Sequence, residues 1–399
     1  MVKILLFDID GVLVKPHGYR KAFFDTFSHW MSLIGVRANL PEREILSLFE
    51  AYGITNEWDM LAICMCIVLD RVCSQNKLGL RSHQVTGLIS ELSEMQIPEL
   101  QVNYRHVIQQ MASIYHLHEI PCVSVFHNCT SVQFPALYQH PILEDILCTT
   151  RNMQDNLCTN LFQNHILGSD LYQQTYQRPA WFSSESYLGK YDQPIISAEW
   201  VNWIKENADR PDIKLVGLTA RPSKEPRGVD LQSSGAYSPE AELAMEVMGL
   251  PNLLFIAYGK LQYLADQLGI TAEEILKPNS FHALAAIFTG LLGDEWKGLQ
   301  QAASFMHGIT PQFPQLDPEI DLIEIPTELE LSVFEDSQGG IMAVEEAADL
   351  LRSTGIQVKT IAYGITQNAD KAKTLESLGV KVFPTINDAL RTSMNHLSL

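Results

Sequence analysis

No stretch of this 399-residue chain reaches the 18 or so apolar residues needed to cross a bilayer, so no membrane-spanning helix is expected. Basic residues are scarce: 28 Lys and Arg stand against 47 Asp and Glu, a formal charge of −19. Phosphate backbones and anionic lipid surfaces recruit clustered positive charge, so neither nucleic acid nor membrane is an expected partner. A small phosphorylated molecule remains compatible, because local cations can meet its charge. The apolar start is interrupted by Asp8 and Asp10, which argues against a signal peptide; a cytoplasmic setting is the expectation. Paired C-x-x-C spacing is absent, and the cysteine count is odd. All seven (Cys64, Cys66, Cys73, Cys122, Cys129, Cys148 and Cys158) fall in the middle of the chain. That usage points to reduced thiols. Cys64 and Cys66, among Leu61, Ile63, Ile67 and Leu69, read as a buried helix face, more readily than as a zinc site with His127 or His140. The pair His116 and His118 has a spacing that chance supplies easily. Internal repeats and low-complexity tracts are also missing. With 46% hydrophobic residues and six tryptophans, the chain can bury a substantial core, divided between two domains.

What is present concentrates at strand ends. Lys3 to Phe7, apolar from Ile4 onward, is a run of the kind that forms a central parallel strand covered on both faces. It stops abruptly in Asp8-Ile9-Asp10-Gly11. Side chains at i and i+2 of a strand point the same way, so two carboxylates can approach each other there, and Gly11 permits the tight turn that follows. Close carboxylates repel and are commonly stabilised by a metal ion or a retained proton. A solvated Asp-rich turn is the simpler alternative. Near the far end, Leu331 to Phe334 is a second apolar strand ending in Glu335-Asp336-Ser337, followed by Gly339-Gly340 and an amphipathic helix. Ile213 to Leu218 ends in Thr219-Ala220-Arg221-Pro222, and Leu276-Lys277-Pro278-Asn279 leads into a helical pattern from Ser280.

In this order, an Asp pair, a strand-end Thr, a Lys-Pro and an acidic pair, the chain resembles the haloacid dehalogenase superfamily of phosphatases and phosphomutases. The likeness is greatest to the β-phosphoglucomutase-like branch, whose fourth motif reads like Phe334-Glu335-Asp336-Ser337. It covers residues 1 to about 14 and about 210 to 390. The resemblance implies that Asp8 is the nucleophile of an aspartyl-phosphate route and Asp10 the general acid and base. It makes Thr219 a hydrogen-bond donor to the phosphoryl oxygens and Lys277 the cation that offsets their charge. Mg²⁺ would be held by Asp8, Asp336 and the backbone carbonyl of Asp10, with Glu335 a second-choice ligand through water. Dehalogenation is not implied, because the metal-free dehalogenases lack an acid where Asp10 stands. Arg221 could reach substrate from the loop of Thr219; an arginine on a surface turn is the alternative.

The pattern also departs from the family. Lys277 precedes Glu335 by about 58 residues, a longer spacing than is usual, so Lys260 and Lys297 are alternatives for the phosphate-binding lysine. An insertion at 292–326, loop-like with Pro311, Pro314, Pro318 and Pro326, would account for the length. The expected fold is α/β: a doubly wound, mainly parallel Rossmann-like sheet over 1–14 and 200–399, with a large helical cap domain, 15–199, inserted after the first strand. Strands are expected near 3–7, 213–218, 252–257, 330–334, 357–362 and 380–383. In the middle, helical spacing is clear over 56–72 and visible over 101–115 and 142–161. Tyr19, Phe23, Phe24 and Trp30 could line a substrate pocket or form the cap's own core. Three activities compete: a Mg²⁺-dependent phosphatase of a small metabolite, a phosphomutase or phosphotransferase using the same chemistry, and a catalytically silent binding or regulatory protein. The sequence does not name a substrate or an oligomeric state.

Overall fold

The computed structural model describes residues 1–76, 79–111, 120–152, 155–229, 237–316 and 324–395. The chain divides into two compact units, Met1–Pro16 with Tyr191–Leu399, and His17–Lys190. The expected His116–His118 pair lies outside the described residues.

The first unit is α/β. Its strands are β1 (Val2–Phe7), β2 (Val14–Lys15), β3 (Gln193–Pro194), β4 (Ile213–Leu218), β5 (Leu254–Ile256), β6 (Glu328–Glu335), β7 (Gln357–Ile365) and β8 (Lys381–Phe383). Six of them form one parallel sheet in the order β5-β4-β1-β6-β7-β8, while β2 and β3 make a small antiparallel pair where the chain leaves and re-enters this unit. Burial on both faces explains why β1 is apolar from Ile4 to Phe7. Ile4 and Leu6 pack on one face against the helices Tyr258–Leu268, Ser280–Leu292 and Gln338–Ser353. Leu5 and Phe7 pack on the other against Ala198–Asn207, Glu240–Val247 and Ile386–Asn395. On the latter face Phe7, Phe334, Tyr363 and Phe383 form an aromatic row across β1, β6, β7 and β8, with centroids 5.1, 4.8 and 5.9 Å apart. Cross-strand pairs of this kind fix register.

The order of the sheet matters for the site. From β1 the chain goes first to one side, through β4 and β5, and then to the other, through β6, β7 and β8. A reversal of this type opens a crevice at the carboxyl ends of the strands next to the switch.

The stretch 292–326 is not simply a loop. Asp294 caps a helix, Glu295–Ile309, by accepting from the Lys297 backbone N–H at 2.9 Å. This helix lies against Ser280–Leu292, where the missing side chain of Gly298 lets it close on Thr289. The prolines at 311 and 314 follow its end rather than replacing it. A helical hairpin therefore fills much of the span between Lys277 and Glu335.

The second unit is helical. Tyr19, Phe23 and Trp30, on the helix His17–Leu33, are buried in its interior, Tyr19 stacked on Phe162 at 6.3 Å, whereas Phe24 is half-buried. The helix Glu57–Asn76 is buried on almost every side, and its cysteines lie within that core. All seven cysteines are free thiols, and burial pushes those of Cys64, Cys66, Cys122 and Cys158 above the usual range. The helical pattern expected over 142–161 is broken into Ile142–Leu147 and Leu157–Leu167. Local side-chain bonds compete with the helix there: Asn156 donates to the Ile146 carbonyl at 3.2 Å and to Thr149 Oγ1 at 2.8 Å, and caps the second helix through the Thr159 N–H. Among the described residues, no helix is long and apolar enough to cross a membrane.

Candidate active site

The carboxyl ends of β1, β4 and β6 converge on one cluster of charge. Because Phe7 is in register with Phe334 and the Asp8 N–H donates to the Phe334 carbonyl at 2.9 Å, Asp8 lies beside Glu335. Parity then decides where they point. Asp8 continues the row of Ile4 and Leu6, and Glu335 that of Leu331 and Val333, so both aim at the face carrying the Ser280–Leu292 helix.

Lys277 arrives from the segment before that helix. Its Nζ lies 2.8 Å from Asp8 Oδ1 and 3.2 Å from Glu335 Oε2, and 3.4 Å from the Leu218 carbonyl at the end of β4. The three side chains are only 10%, 7% and 1% exposed. Burial pushes Asp8 well above the usual carboxylate range; the Glu335 charge adds to this and Lys277 opposes it. Glu335 is likewise raised by burial, against the pull of Lys277. Burial alone would lower Lys277, but Asp8 and Glu335 outweigh it and hold the ammonium above its ordinary value.

Several neighbours set this geometry. The Lys277–Pro278 peptide is cis. His282 accepts from the Lys277 backbone N–H at 3.2 Å through Nδ1, which leaves Nε2–H to donate to the Ile256 carbonyl, also at 3.2 Å. Burial, reinforced by the Lys277 charge, pushes His282 down to about 3, so the imidazole stays neutral and bridges the lysine segment to β5. Ser337 donates to Glu335 Oε1 at 2.5 Å and accepts from the Gly340 N–H, capping the helix Gln338–Ser353. A Cβ at Gly340 would overlap the Glu335 carboxylate. Gly11 adopts φ +78°, a conformation glycine enters freely, and a Cβ there would lie 2.6 Å from Asp336 Oδ2. Both glycines leave room for an acid.

Asp8, Glu335 and Asp336 each offer an oxygen within 4.8 Å of the others'. Among the described residues this is the one group of three His, Cys, Asp or Glu side chains so close together. The donors are all hard oxygens, which suit Mg²⁺. Asp336 is not isolated: Lys371, from the first turn of the helix Ala369–Ser377 after β7, lies 2.7 Å from its Oδ2.

Asp10 and Thr219 join a second, adjoining arrangement. Arg221 is buried and grips Asp10 through Nε at 2.8 Å and Nη2 at 2.6 Å, and Nη2 also bonds Asp192 at 2.9 Å. The surface-turn alternative for Arg221 therefore fails: the guanidinium is taken inward by two acids. Thr219 is buried; its N–H donates to the Ile256 carbonyl and its hydroxyl accepts from the Arg221 N–H at 3.2 Å.

Of the alternative lysines, Lys260 is buried in a separate ion pair with Glu295 at 2.8 Å, over the Phe255 ring at 4.2 Å. Lys297 is exposed on the Glu295–Ile309 helix. Neither contacts the carboxylate cluster. Lys371, which meets Asp336 of that cluster, and Asp192, which bonds Arg221 beside it, carry no local sequence signal; Lys371 follows β7 and Asp192 immediately precedes β3.

No family model and no curated protein sequence matches the chain. An X-ray structure solved as a Northeast Structural Genomics Consortium target is similar over 100% of this chain and 99% of its own, with a TM-score of 0.64 at 15% identity, a likeness of fold. Phosphatase Tt82 from Thermococcus thioreducens aligns over 94% of this chain and 99% of its own, with a TM-score of 0.40 at 14% identity.

Proposed function

We propose that this chain is a Mg²⁺-dependent phosphohydrolase of the haloacid dehalogenase type, acting on a phosphorylated small molecule through an aspartyl phosphate on Asp8. The observation that carries this reading is the buried Lys277 ammonium shared by Asp8 and Glu335 beside Asp336. An isolated structural ion pair needs one acid; a site for a transferred phosphoryl group needs a nucleophile, a cation for the equatorial oxygens and oxygen ligands for a metal.

The residues have a consistent division of labour. Asp8 attacks phosphorus and the ester bond to the leaving oxygen breaks, which splits hydrolysis into two easier steps. Asp10 gives that oxygen its proton and then takes one from the attacking water. The Thr219 hydroxyl accepts from the Arg221 N–H and donates to none of the described residues, so its proton would be offered to a phosphoryl oxygen. Lys277 neutralises charge that develops as the bond breaks. Asp8, Glu335 and Asp336 would hold Mg²⁺, which supplies further charge stabilisation when bound. Arg221 orients Asp10 by gripping both its oxygens, a positioning role rather than a substrate contact. The helical unit is assigned the cap role, excluding water and reading the leaving group.

A panel of phosphorylated metabolites, assayed for phosphate release with Mg²⁺, tests the reading. At least one should be hydrolysed, and Asp8→Asn should lower turnover by orders of magnitude. Near-normal turnover in Asp8→Asn would refute the covalent route. Transfer to a second hydroxyl without net phosphate release would indicate a phosphomutase.

A further inference from the structure

We propose that Lys371 is a tethered counter-cation of Asp336 that a divalent ion displaces, so that Lys371 sets the metal affinity of the site. This rests on reading Asp8, Glu335 and Asp336 as the metal-binding group. Among the described residues two lysines meet those acids, and they differ in kind. Lys277 is enclosed and shared by two buried carboxylates. Lys371 is 45% exposed and its ammonium is 2.7 Å from Oδ2 of Asp336, itself 19% exposed. Pairs with this exposure are weak, and a lysine that leaves one can return to water with little desolvation.

Asp336 has little choice of partner geometry. Its Oδ2 packs where a Cβ of Gly11 would stand, at 2.6 Å, so the carboxylate is confined on that side. The same oxygen is the one Lys371 occupies. An ammonium and a divalent ion cannot both take its outward lone pairs at close range, and their like charges repel. The backbone of Lys371 is meanwhile fixed, because Asn368 caps the helix by accepting from the N–H groups of Asp370 and Lys371 at 2.9 and 3.2 Å. Displacement is therefore a side-chain movement on a fixed anchor. The helix need not shift.

The test is calorimetric titration of Mg²⁺ into the full-length protein without substrate, at constant ionic strength. Lys371→Met should bind Mg²⁺ about tenfold more tightly than wild type, ~1.4 kcal/mol. Lys371→Arg, which keeps the charge, should stay near wild type. Lys373→Met removes an equal charge from the same helix, but Lys373 pairs with Asp370 at 3.8 Å rather than with Asp336, so it should leave affinity nearly unchanged. Equal or weaker binding by Lys371→Met, or an equal gain from Lys373→Met, overturns the proposal. Should Lys371→Met fold poorly, Lys371→Gln makes the same comparison. Failure of the wild-type protein to bind Mg²⁺ at all would instead overturn the metal-site reading on which the proposal stands.

Discussion

Replacing Lys277 by Met nearly preserves side-chain length and removes one buried charge, leaving Asp8 and Glu335 facing each other without their shared partner. Removing one member of a buried ion pair typically costs about 3–5 kcal/mol, because the remaining charge is uncompensated. In a unit of roughly 200 residues, each kcal/mol moves the melting temperature by about 2–4 °C. A fall of roughly 6–20 °C is therefore expected near pH 8 without metal. The pH dependence has a definite sign. Burial already raises Asp8 and Glu335 in the folded state, and Lys277 opposes both shifts. An acid raised on folding binds more protons folded than unfolded, so stability falls as pH rises from the unfolded value, about 4, through the folded one. Without Lys277 the folded values rise further. The deficit of Lys277→Met should then be greatest near pH 8 and shrink toward pH 5 as the acids take up protons. Asp8→Asn in the Lys277→Met background removes the repulsion and should recover part of the loss, a coupling that a double-mutant cycle measures directly. Differential scanning calorimetry with a chelator present reads all four proteins. A loss at pH 8 under about 2 °C, or a deficit that grows on acidification, would refute the buried-pair argument.

The same chemistry makes two further predictions. Mg²⁺ at about 100 times its dissociation constant should stabilise the fold by roughly 2.7 kcal/mol, raising the melting temperature by about 5–10 °C; Na⁺ at matched ionic strength should not, and Asp336→Ala should lose the Mg²⁺-specific part. Equal gains in Asp336→Ala and wild type would mean that Asp336 is no ligand. Gly340→Ala should destabilise by more than about 1 kcal/mol, although Gly→Ala inside a helix ordinarily stabilises by a similar amount, because the new methyl overlaps a Glu335 carboxylate already bonded to Lys277 and Ser337. Gly339→Ala is the control: its nearest neighbour would be Pro278 Cβ at an ordinary 3.6 Å, so chemical denaturation should show no loss.

What could be read from sequence was whatever depends on short-range pattern. An apolar strand that stops in acids places carboxylates at a sheet edge whatever the strand order, and so Asp8, Glu335 and Asp336 were recognisable by inspection. Alternation of strand and helix similarly implied a parallel sheet, and the row from Leu331 to Phe334 required that its faces both be covered. Long-range choices were less accessible. The prolines of 292–326 suggest a loop, whereas Asp294 starts a helix locally and Gly298 lets it dock on Thr289. Local pattern leaves Arg221 open between a substrate contact and a surface turn, because its partners Asp10 and Asp192 are 211 and 29 residues away.

Lys371 shows why such residues escape a linear reading. It stands 35 residues beyond Asp336, on a helix whose composition alone resembles a solvated surface. Only the pairing of β6 with β7, in parallel register from Glu328 with Gln357 to Glu335 with Gly364, brings the loop after β7 next to the acids after β6. Parallel pairing equates the carboxyl ends of neighbouring strands, so each strand's exit loop can supply a group to its neighbour's site. Asp8 directly follows β1, and Glu335 and Asp336 stand at the end of β6, so all three could be found from local pattern. Lys277, ahead of the Ser280–Leu292 helix, is marked by its own Lys-Pro pattern, whereas Lys371, at a helix start after β7, is reached through the strand order.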